Sequence, residues 1–144
     1  MGATSFEIRG FGKTIKEAYN QTIEELDEEI GHQDGYSGNL NSARGYREIF
    51  APEGIKPMTY VNWIETASET LYDGIEDSEK QRIMKVIPEA YHGRVLSYAK
   101  IYDDKYGKAL GIELKGKEAK EYRERNGLKG KRGKVYYFFG MVPC

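Results

Sequence analysis

The sequence predicts one α+β domain, residues 1–144, with a single mixed, mainly antiparallel sheet and helices packed mostly on one face. Apolar residues recur at helical spacing after Thr14, whereas residues 3–9 and the segment KVYYFFGMV (134–142) have strand-like composition. Helical and strand-like segments alternate along the chain, without repeats or low-complexity tracts. We therefore expect all of them to share one sheet and one core, as the length of 144 residues suggests.

The first strand and the first helix are the most strongly patterned elements. Residues 3–9 alternate so that Phe6 and Ile8 face the core. Thr14 and Glu17 then form a capping box, and apolar residues follow at helical spacing until Gly31, which gives a carboxyl-terminal stop. Residues 14–31 contain six Asp or Glu and one Lys, a local charge of −5, so the solvent face of this helix is acidic.

The middle of the chain is predicted to form two short strands and three helices. Residues 35–43 (GYSGNLNSA) and 45–50 (GYREIF) favour strands joined by a turn, and residues 51–57 favour a loop. Residues 58–73 form a helix. The next helix begins at Ser78, whose capping-box partner is Gln81, and ends before Pro88. Residues 95–102 suit a helix or a strand, and we predict a helix.

The last third is predicted as strand, helix and strand. Residues 109–114 (ALGIEL) form a strand, and a charged helix at 117–125 is closed by Asn126-Gly127. The segment KVYYFFGMV is apolar throughout, which is typical of a central strand or one covered on both faces.

Composition and charge restrict the function classes. The net charge is −1, which argues against a chain-wide affinity for nucleic acid or anionic membrane. The single cysteine, Cys144, excludes an internal disulfide and a cysteine-built zinc site. No stretch approaches a membrane span of roughly 20 apolar residues, and the segment MGATSFEIRG lacks the basic leader and apolar run typical of a secretory signal. We expect a cytoplasmic protein with no cofactor and no metal.

Several segments carry a resemblance to a known family. They are MGATSFEI at the start, GKTIKEAYNQTIEE (12–25), GHQDGYSGNL (31–40), DDKYGKALGIEL (103–114) and FFG (138–140). With these motifs the chain resembles a family of small proteins of bacteriophages and prophage-carrying bacteria. It differs from the family pattern at Gln33-Asp34, at Tyr106, where Trp is usual, and at Met141. The resemblance implies a phage context, and with it a host-takeover or anti-defence role, but no particular activity.

The polar stretch at residues 31–46, here called the Gly-Tyr segment, contains the first group of candidate ligand-binding residues. They are His32, Tyr36, Asn39, Arg44 and Tyr46. Glycines let a ligand approach the backbone, Tyr rings can stack, and amide and guanidinium groups can bind hydroxyl and phosphate groups. The alternatives are a carboxyl-terminal helix cap for His32 and a plain polar hairpin for the rest.

The motif DDKYG adds Lys105 and Tyr106 as candidates. With Asp104 they are expected to fix a loop next to the Gly-Tyr segment, although a packing role for Tyr106 is equally consistent with the sequence. Adjacent carboxylates at Asp103 and Asp104 cannot both face one ion without other segments, so we predict a turn rather than a metal site.

A basic stretch at residues 115–134 completes the candidate site. It holds nine Lys or Arg and three Glu, a local charge of +6. Pairs four residues apart explain the charges of the predicted helix, but Lys129, Lys131 and Arg132 lie in LKGKRGK, which has no acid. They could bind a phosphate-bearing ligand or, against the overall charge, nucleic acid.

Two short motifs are similar to catalytic motifs but do not match them fully. RGFGKT (9–14) ends like a phosphate-binding loop, but the position that needs the first glycine is Glu7. A Tyr-His-Gly tripeptide at His92 also occurs in ADP-ribosyltransferases, but here it follows Pro88 at a helix break. Neither histidine has a spacing that defines a nucleophile, base or metal site.

The sequence therefore leaves three function classes. The first is a non-catalytic phage accessory protein that binds and sequesters a phosphorylated, nucleotide-type small molecule through the Gly-Tyr segment and the basic stretch. The second is an inhibitor that binds a host or defence protein through its opposed charged surfaces. The third is a small His-dependent enzyme acting on a nucleotide-type substrate. Exposed strand edges and many tyrosines further predict a homo-oligomer.

Overall fold

The computed structural model describes residues 2–30 and 38–143. Within these residues the chain forms four strands and five α-helices. They are β1 (Ala3–Gly12), α1 (Ile15–Ile30), β2 (Tyr46–Ile49), α2 (Pro57–Ser68), α3 (Asp77–Met84), α4 (His92–Asp103), β3 (Ala109–Leu114), α5 (Lys117–Arg125) and β4 (Lys134–Pro143). Short 3-10 turns lie at Leu40–Ser42, Glu69–Leu71 and Glu89–Tyr91.

The four strands form one mixed sheet in the order β1-β4-β3-β2. Strand β4 pairs antiparallel with β1 and with β3, and β2 pairs parallel with β3. A parallel neighbour requires a long crossover, which α2, α3 and α4 supply between β2 and β3. The predicted α+β class is confirmed, as is the central position of the carboxyl-terminal apolar strand.

Both faces of the sheet are covered, and β4 contributes to both. Tyr137 and Phe139 point into the larger core, which α2, α3 and α4 build and α5 flanks through Ala119 and Tyr122. Phe138 points into the smaller core beneath α1. This alternation follows from the two-residue period of a strand and explains why β4 is apolar throughout.

Helix α1 lies unusually close to β1 because two glycines of the strand face it. A Cβ added at Gly10 would lie 2.4 Å from Thr22 Oγ1, and one at Gly12 would lie 2.6 Å from the backbone nitrogen of Ala18. The helix starts as expected, since Thr14 Oγ1 accepts a hydrogen bond from the Glu17 amide at 3.2 Å. Contacts from Gly12 to Ala18 and from Gly10 to Thr22 show that α1 runs back along β1.

The structure corrects two local predictions. A strand was predicted at residues 35–43, of which 35–37 lie outside the described residues. The rest contains a 3-10 turn at Leu40–Ser42, because Asn39 Oδ1 caps the Leu40 amide at 2.8 Å and the Leu40 side chain is fully buried. Strand β2 therefore has no hairpin partner and pairs with β3. Helix α3 begins at Asp77 after the cap residue Glu76, so the capping box of Ser78 and Gln81 does not form. Residues 95–102 are helical as predicted, within the longer α4 (His92–Asp103).

Candidate functional site

The predicted ligand-binding residues are only partly described. His32 and Tyr36 lie outside the described residues. The other eight lie in two groups, which we take in turn.

The first group lies at the amino ends of β2 and β3. Residues 38–45 run beside the turn that precedes β3, where the Arg44 amide donates to the Gly107 carbonyl at 3.1 Å. The Ala109 amide donates to the Gly45 carbonyl at 2.9 Å. The sequence therefore correctly placed the DDKYG turn beside the Gly-Tyr segment. Asn39 acts here as the cap of a 3-10 turn.

Tyr46 has a packing partner in α1. Its ring centroid lies 4.7 Å from that of Tyr19 and 6.2 Å from that of Phe138. Burial is the main cause of the raised pKa of Tyr19, and the nearby Tyr46 and Asp27 raise it further. Tyr46 thus joins the edge strand to α1, and its ring is half-buried in the smaller core.

Lys105 and Tyr106 lie on a tight turn between α4 and β3. Asp104 Oδ1 accepts a hydrogen bond from the Tyr106 amide at 3.0 Å, and the Asp104 carbonyl accepts from the Gly107 amide at 3.0 Å. The Lys105 ammonium lies 5.1 Å from the centre of the Tyr106 ring, which is 49% exposed. Asp104 is thus a turn-forming residue, and Tyr106 remains open to solvent.

The second group, Lys129, Lys131 and Arg132, lies at the opposite end of the sheet. These residues precede β4, whose first residue, Lys134, pairs with Gly12 at the end of β1. Strand β3 separates the two groups by six residues, a distance of about 20 Å at 3.3 Å per residue. The expectation that the Gly-Tyr segment and the basic stretch form one surface is therefore wrong for the described residues. Because β3 and β4 pair antiparallel, the loop that precedes β3 and the loop that precedes β4 lie at opposite ends of the sheet.

Arg123 of α5 fixes the backbone of the second group. Its Nη1 donates to the Lys131 carbonyl at 2.8 Å, and its Nη2 donates to the Gly133 carbonyl. The guanidinium also lies 5.0 Å from the centre of the Phe11 ring. Arg123 is thus a structural cation. The side chains of Lys129, Lys131 and Arg132 remain exposed.

More cations gather at this end of the sheet, which we call the basic end. Its members are Lys13, Lys56, Lys115, Lys129, Lys131, Arg132 and Lys134. Lys134 Nζ lies 3.5 Å from Glu113 Oε1. The other six form no ion pair with another described residue. Sequence analysis missed Lys13 and Lys56 because they are distant along the chain and only the sheet brings them to the same end.

Acidic residues concentrate at the other end. Because α1 runs back along β1, its acidic second half lies towards the start of β1, where Gly38 approaches Thr4. A cleft of about 430 Å³ at this end is lined by Glu65, Glu69 and Asp103, together with Ser5 and Tyr102. The acidic half of α1 and this cleft thus lie at the end opposite the basic end. Arg44, Lys105 and Lys108 also lie at that opposite end. The net charge is only −1.

Beside this cleft, two carboxylates and two tyrosines form a half-buried network. The Tyr137 hydroxyl donates to the Glu7 carboxylate. Tyr102 and Glu65 line the cleft together, and each influences the pKa of the other. Burial is the main cause of the raised pKa of Glu65, and the negative charge of Glu7 raises it further. Burial, and after it the negative charge of Glu65, raises the pKa of Tyr102 to about 12. Burial is also the main cause of the raised pKa of Tyr137. Both hydroxyls therefore stay protonated at neutral pH and act as hydrogen-bond donors.

His92 has a structural partner. Its Nε2 lies 2.7 Å from the Ile87 carbonyl oxygen, which can only accept, so this nitrogen carries the proton. The imidazole thus ties the start of α4 to the segment after α3.

Metal-ion clusters and membrane-spanning helices are both absent from residues 2–30 and 38–143. In this part of the chain no three His, Cys, Asp or Glu side chains are grouped so that they could hold a metal ion. The helices in the same ranges are all too short or too polar to span a membrane.

Comparison with known proteins gives no match: no family model, curated protein or solved structure is significantly similar to this chain. The function must therefore be argued from the site itself.

Proposed function

We propose that the chain is a non-catalytic binding protein that captures a phosphorylated, nucleotide-type small molecule at the basic end of its sheet. The observation that carries this proposal is the loop at residues 129–133. Three cations on it are exposed and form no ion pair with a described residue, while Arg123 holds its backbone through two carbonyls. A loop that is ordered before binding loses little entropy when it meets an anion.

The surrounding charges support the same choice of ligand. Lys13 and Lys115 add to the positive potential at this end, whereas the acidic half of α1 lies at the far end of β1. A phosphorylated ligand is therefore attracted to one end of the molecule and repelled from the other. This arrangement supports binding at the basic end, with the Gly-Tyr segment in a separate role.

The contacts of the described tyrosines and of His92 favour binding over catalysis. The His92 ring donates to a backbone carbonyl, and burial together with the charge of Glu65 raises the pKa of the Tyr102 hydroxyl to about 12. The His92 contact is one that proton transfer would break, and the raised pKa keeps Tyr102 protonated at neutral pH. The third class from the sequence, a His-dependent enzyme, receives no support from the geometry of His92.

The biological setting follows from the motif resemblance. A phage accessory protein that sequesters a nucleotide-type signal would act in the cytoplasm of the host, in host takeover or in anti-defence. Many sequestering proteins are homo-oligomers, and β1 and β2 form the two edges of the sheet at which copies could pair. Sedimentation analysis at several protein concentrations tests the oligomer.

The test of binding is isothermal titration calorimetry against a panel of cyclic and linear nucleotides and pyrophosphate. We expect at least one phosphorylated compound to bind the wild-type chain. The double variant Lys129→Ala/Lys131→Ala should bind it about tenfold more weakly or worse, since one charge-assisted hydrogen bond contributes roughly 1.5–3 kcal/mol. The matched control is Lys100→Ala/Lys108→Ala, which removes two exposed lysines at the other end of β3 and should bind normally.

A protein-binding inhibitor is the second candidate, and the separation of charge along the strands favours it. An end with a strong potential steers a partner of opposite charge. Absence of binding to every phosphorylated compound, together with a host protein that the wild-type chain retains and Lys129→Ala/Lys131→Ala loses, would replace the first proposal by the second.

A further inference from the structure

A cavity of about 420 Å³ opens at the carboxyl ends of the parallel strands β2 and β3. Its wall is formed by residues 49–57 on one side and by Ile112, Glu113 and Lys115 on the other. A tight turn shapes this wall, since the Ile55 amide donates to the Pro52 carbonyl at 3.0 Å and Gly54 has a positive φ of 82°. Ligands of parallel sheets bind outside the carboxyl ends of the strands.

Phe50 lies at the rim of this cavity and is 68% exposed. The preceding residue, Ile49, is buried in the larger core, so the strand alternation turns Phe50 outward. The Phe50 ring stacks on no other aromatic ring among the described residues. An exposed aromatic ring beside a cavity is a suitable platform for a planar ligand group.

Two lysines line the same cavity. The Lys56 and Lys115 side chains are exposed and form no ion pair with another described residue. Two acids also belong to the wall. The Glu113 carboxylate is neutralised by Lys134 at 3.5 Å, and Glu53 is exposed on the outer turn. Within the wall the two lysines equal the two acids in number. Because Lys134, outside the wall, pairs with Glu113, Lys56 and Lys115 face Glu53 as the one acid of the wall without a described ion pair.

We propose that this cavity holds one nucleotide, with its base stacked on Phe50 and its phosphate between Lys56 and Lys115. The inference rests on the proposed function and narrows it to a ligand that carries both an aromatic base and a phosphate. The volume lies near the lower end of the range of roughly 300–1,000 Å³ for small-molecule sites. It is large enough for a single nucleotide.

The test compares four probes by calorimetry: nucleoside monophosphates, the corresponding nucleosides, inorganic phosphate and a tetranucleotide. A monophosphate should bind more tightly than its nucleoside, than phosphate alone, and than the tetranucleotide. Phe50→Ala should weaken the monophosphate about fivefold to a hundredfold, the range for loss of one stacked base, and Phe50→Trp should restore it. Lys56→Ala/Lys115→Ala should weaken the monophosphate and leave the nucleoside unchanged. The exposed Tyr72 gives the matched control Tyr72→Ala.

The outcomes separate this inference from the proposed function. If monophosphates bind and respond to Lys129→Ala/Lys131→Ala but are unaffected by Phe50→Ala, the cavity assignment is overturned and the proposed function stands. Tighter binding of the tetranucleotide overturns the single-nucleotide inference in favour of a nucleic-acid surface. If no phosphorylated probe binds, both proposals fail.

Discussion

Individual glycines decide how closely α1 packs on the sheet. At Gly12 an added Cβ would lie 2.6 Å from the Ala18 backbone nitrogen, which cannot move without shifting the helix. We expect Gly12→Ala to lower the free energy of unfolding by about 1–3 kcal/mol, as overpacking of a core does. The control is Gly93→Ala in α4, where an added Cβ meets nothing within 4 Å. It should be neutral or stabilise the protein by about 0.4–1 kcal/mol. Urea unfolding with an unchanged m-value measures both.

Glu65 should give stability a measurable pH dependence. Its pKa in the folded chain is raised above the ordinary 4.5, mainly by burial. The folded state therefore holds this proton at a pH at which the unfolded chain has lost it. The stabilising contribution is fully present below pH 4.5 and is lost as the pH rises through the folded pKa.

Glu65→Gln removes this titration and tests its sign. The free energy of unfolding of the variant, measured relative to wild type, should rise from pH 4 to pH 7. The same substitution at the exposed Glu24 serves as the control and should leave the profile unchanged. A flat difference between Glu65→Gln and wild type across this range would contradict the assigned shift.

At the scale of elements, the contacts of Arg123 predict that α5 acts as a brace for the basic loop. Arg123→Lys keeps the charge but loses the planar fork that reaches the Lys131 and Gly133 carbonyls. We expect hydrogen exchange to accelerate in residues 128–133 and to remain unchanged in β4. Arg125→Lys on the same helix is the matched control, because that side chain is exposed and makes no hydrogen bond or ion pair with another described residue. Faster exchange in both variants would argue against a specific brace.

The elements that the sequence predicted well are those whose signal is local. Helix α1 combines a capping residue, Thr14, with a continuous apolar stripe, and β4 is apolar throughout, so both were recognised. The failure lies at residues 39–43, where polar turn formers suggested a strand. Burial of Leu40 and the parallel pairing of β2 across three helices depend on distant residues and leave no local pattern.

In the candidate site, too, local patterns do not predict which residues that are distant in the sequence lie close together. Hydrogen bonds join Arg44 and Gly45 to the turn before β3, as predicted for the DDKYG motif and the Gly-Tyr segment. The basic loop, however, lies at the other end of β3, and only the strand order determines this. Phe50 was assigned to a strand and Lys56 to a plain loop, because their proximity to Lys115 requires the parallel pairing of β2 with β3.

At the scale of the whole molecule, separated charge makes the proposed binding dependent on salt. Raising the ionic strength from 0.01 M to 0.15 M shortens the Debye length from about 30 Å to about 8 Å. The exposed cations of the basic end then stop acting together on an approaching ligand. We expect the affinity for a bound nucleotide to fall severalfold over this range, measured by calorimetry at constant pH.

Two variants show which charges cause the salt dependence. Lys129→Ala/Lys131→Ala should reduce the slope of log affinity against log salt, because fewer cations at the basic end remain to be screened. Glu28→Gln/Glu29→Gln changes the net charge by two units in the opposite direction at the far end of α1, beyond one Debye length at 0.15 M ionic strength, and should keep the wild-type slope there. If Glu28→Gln/Glu29→Gln steepens the slope by as much as Lys129→Ala/Lys131→Ala flattens it, net charge rather than its separation governs binding, and the basic end loses its assigned role.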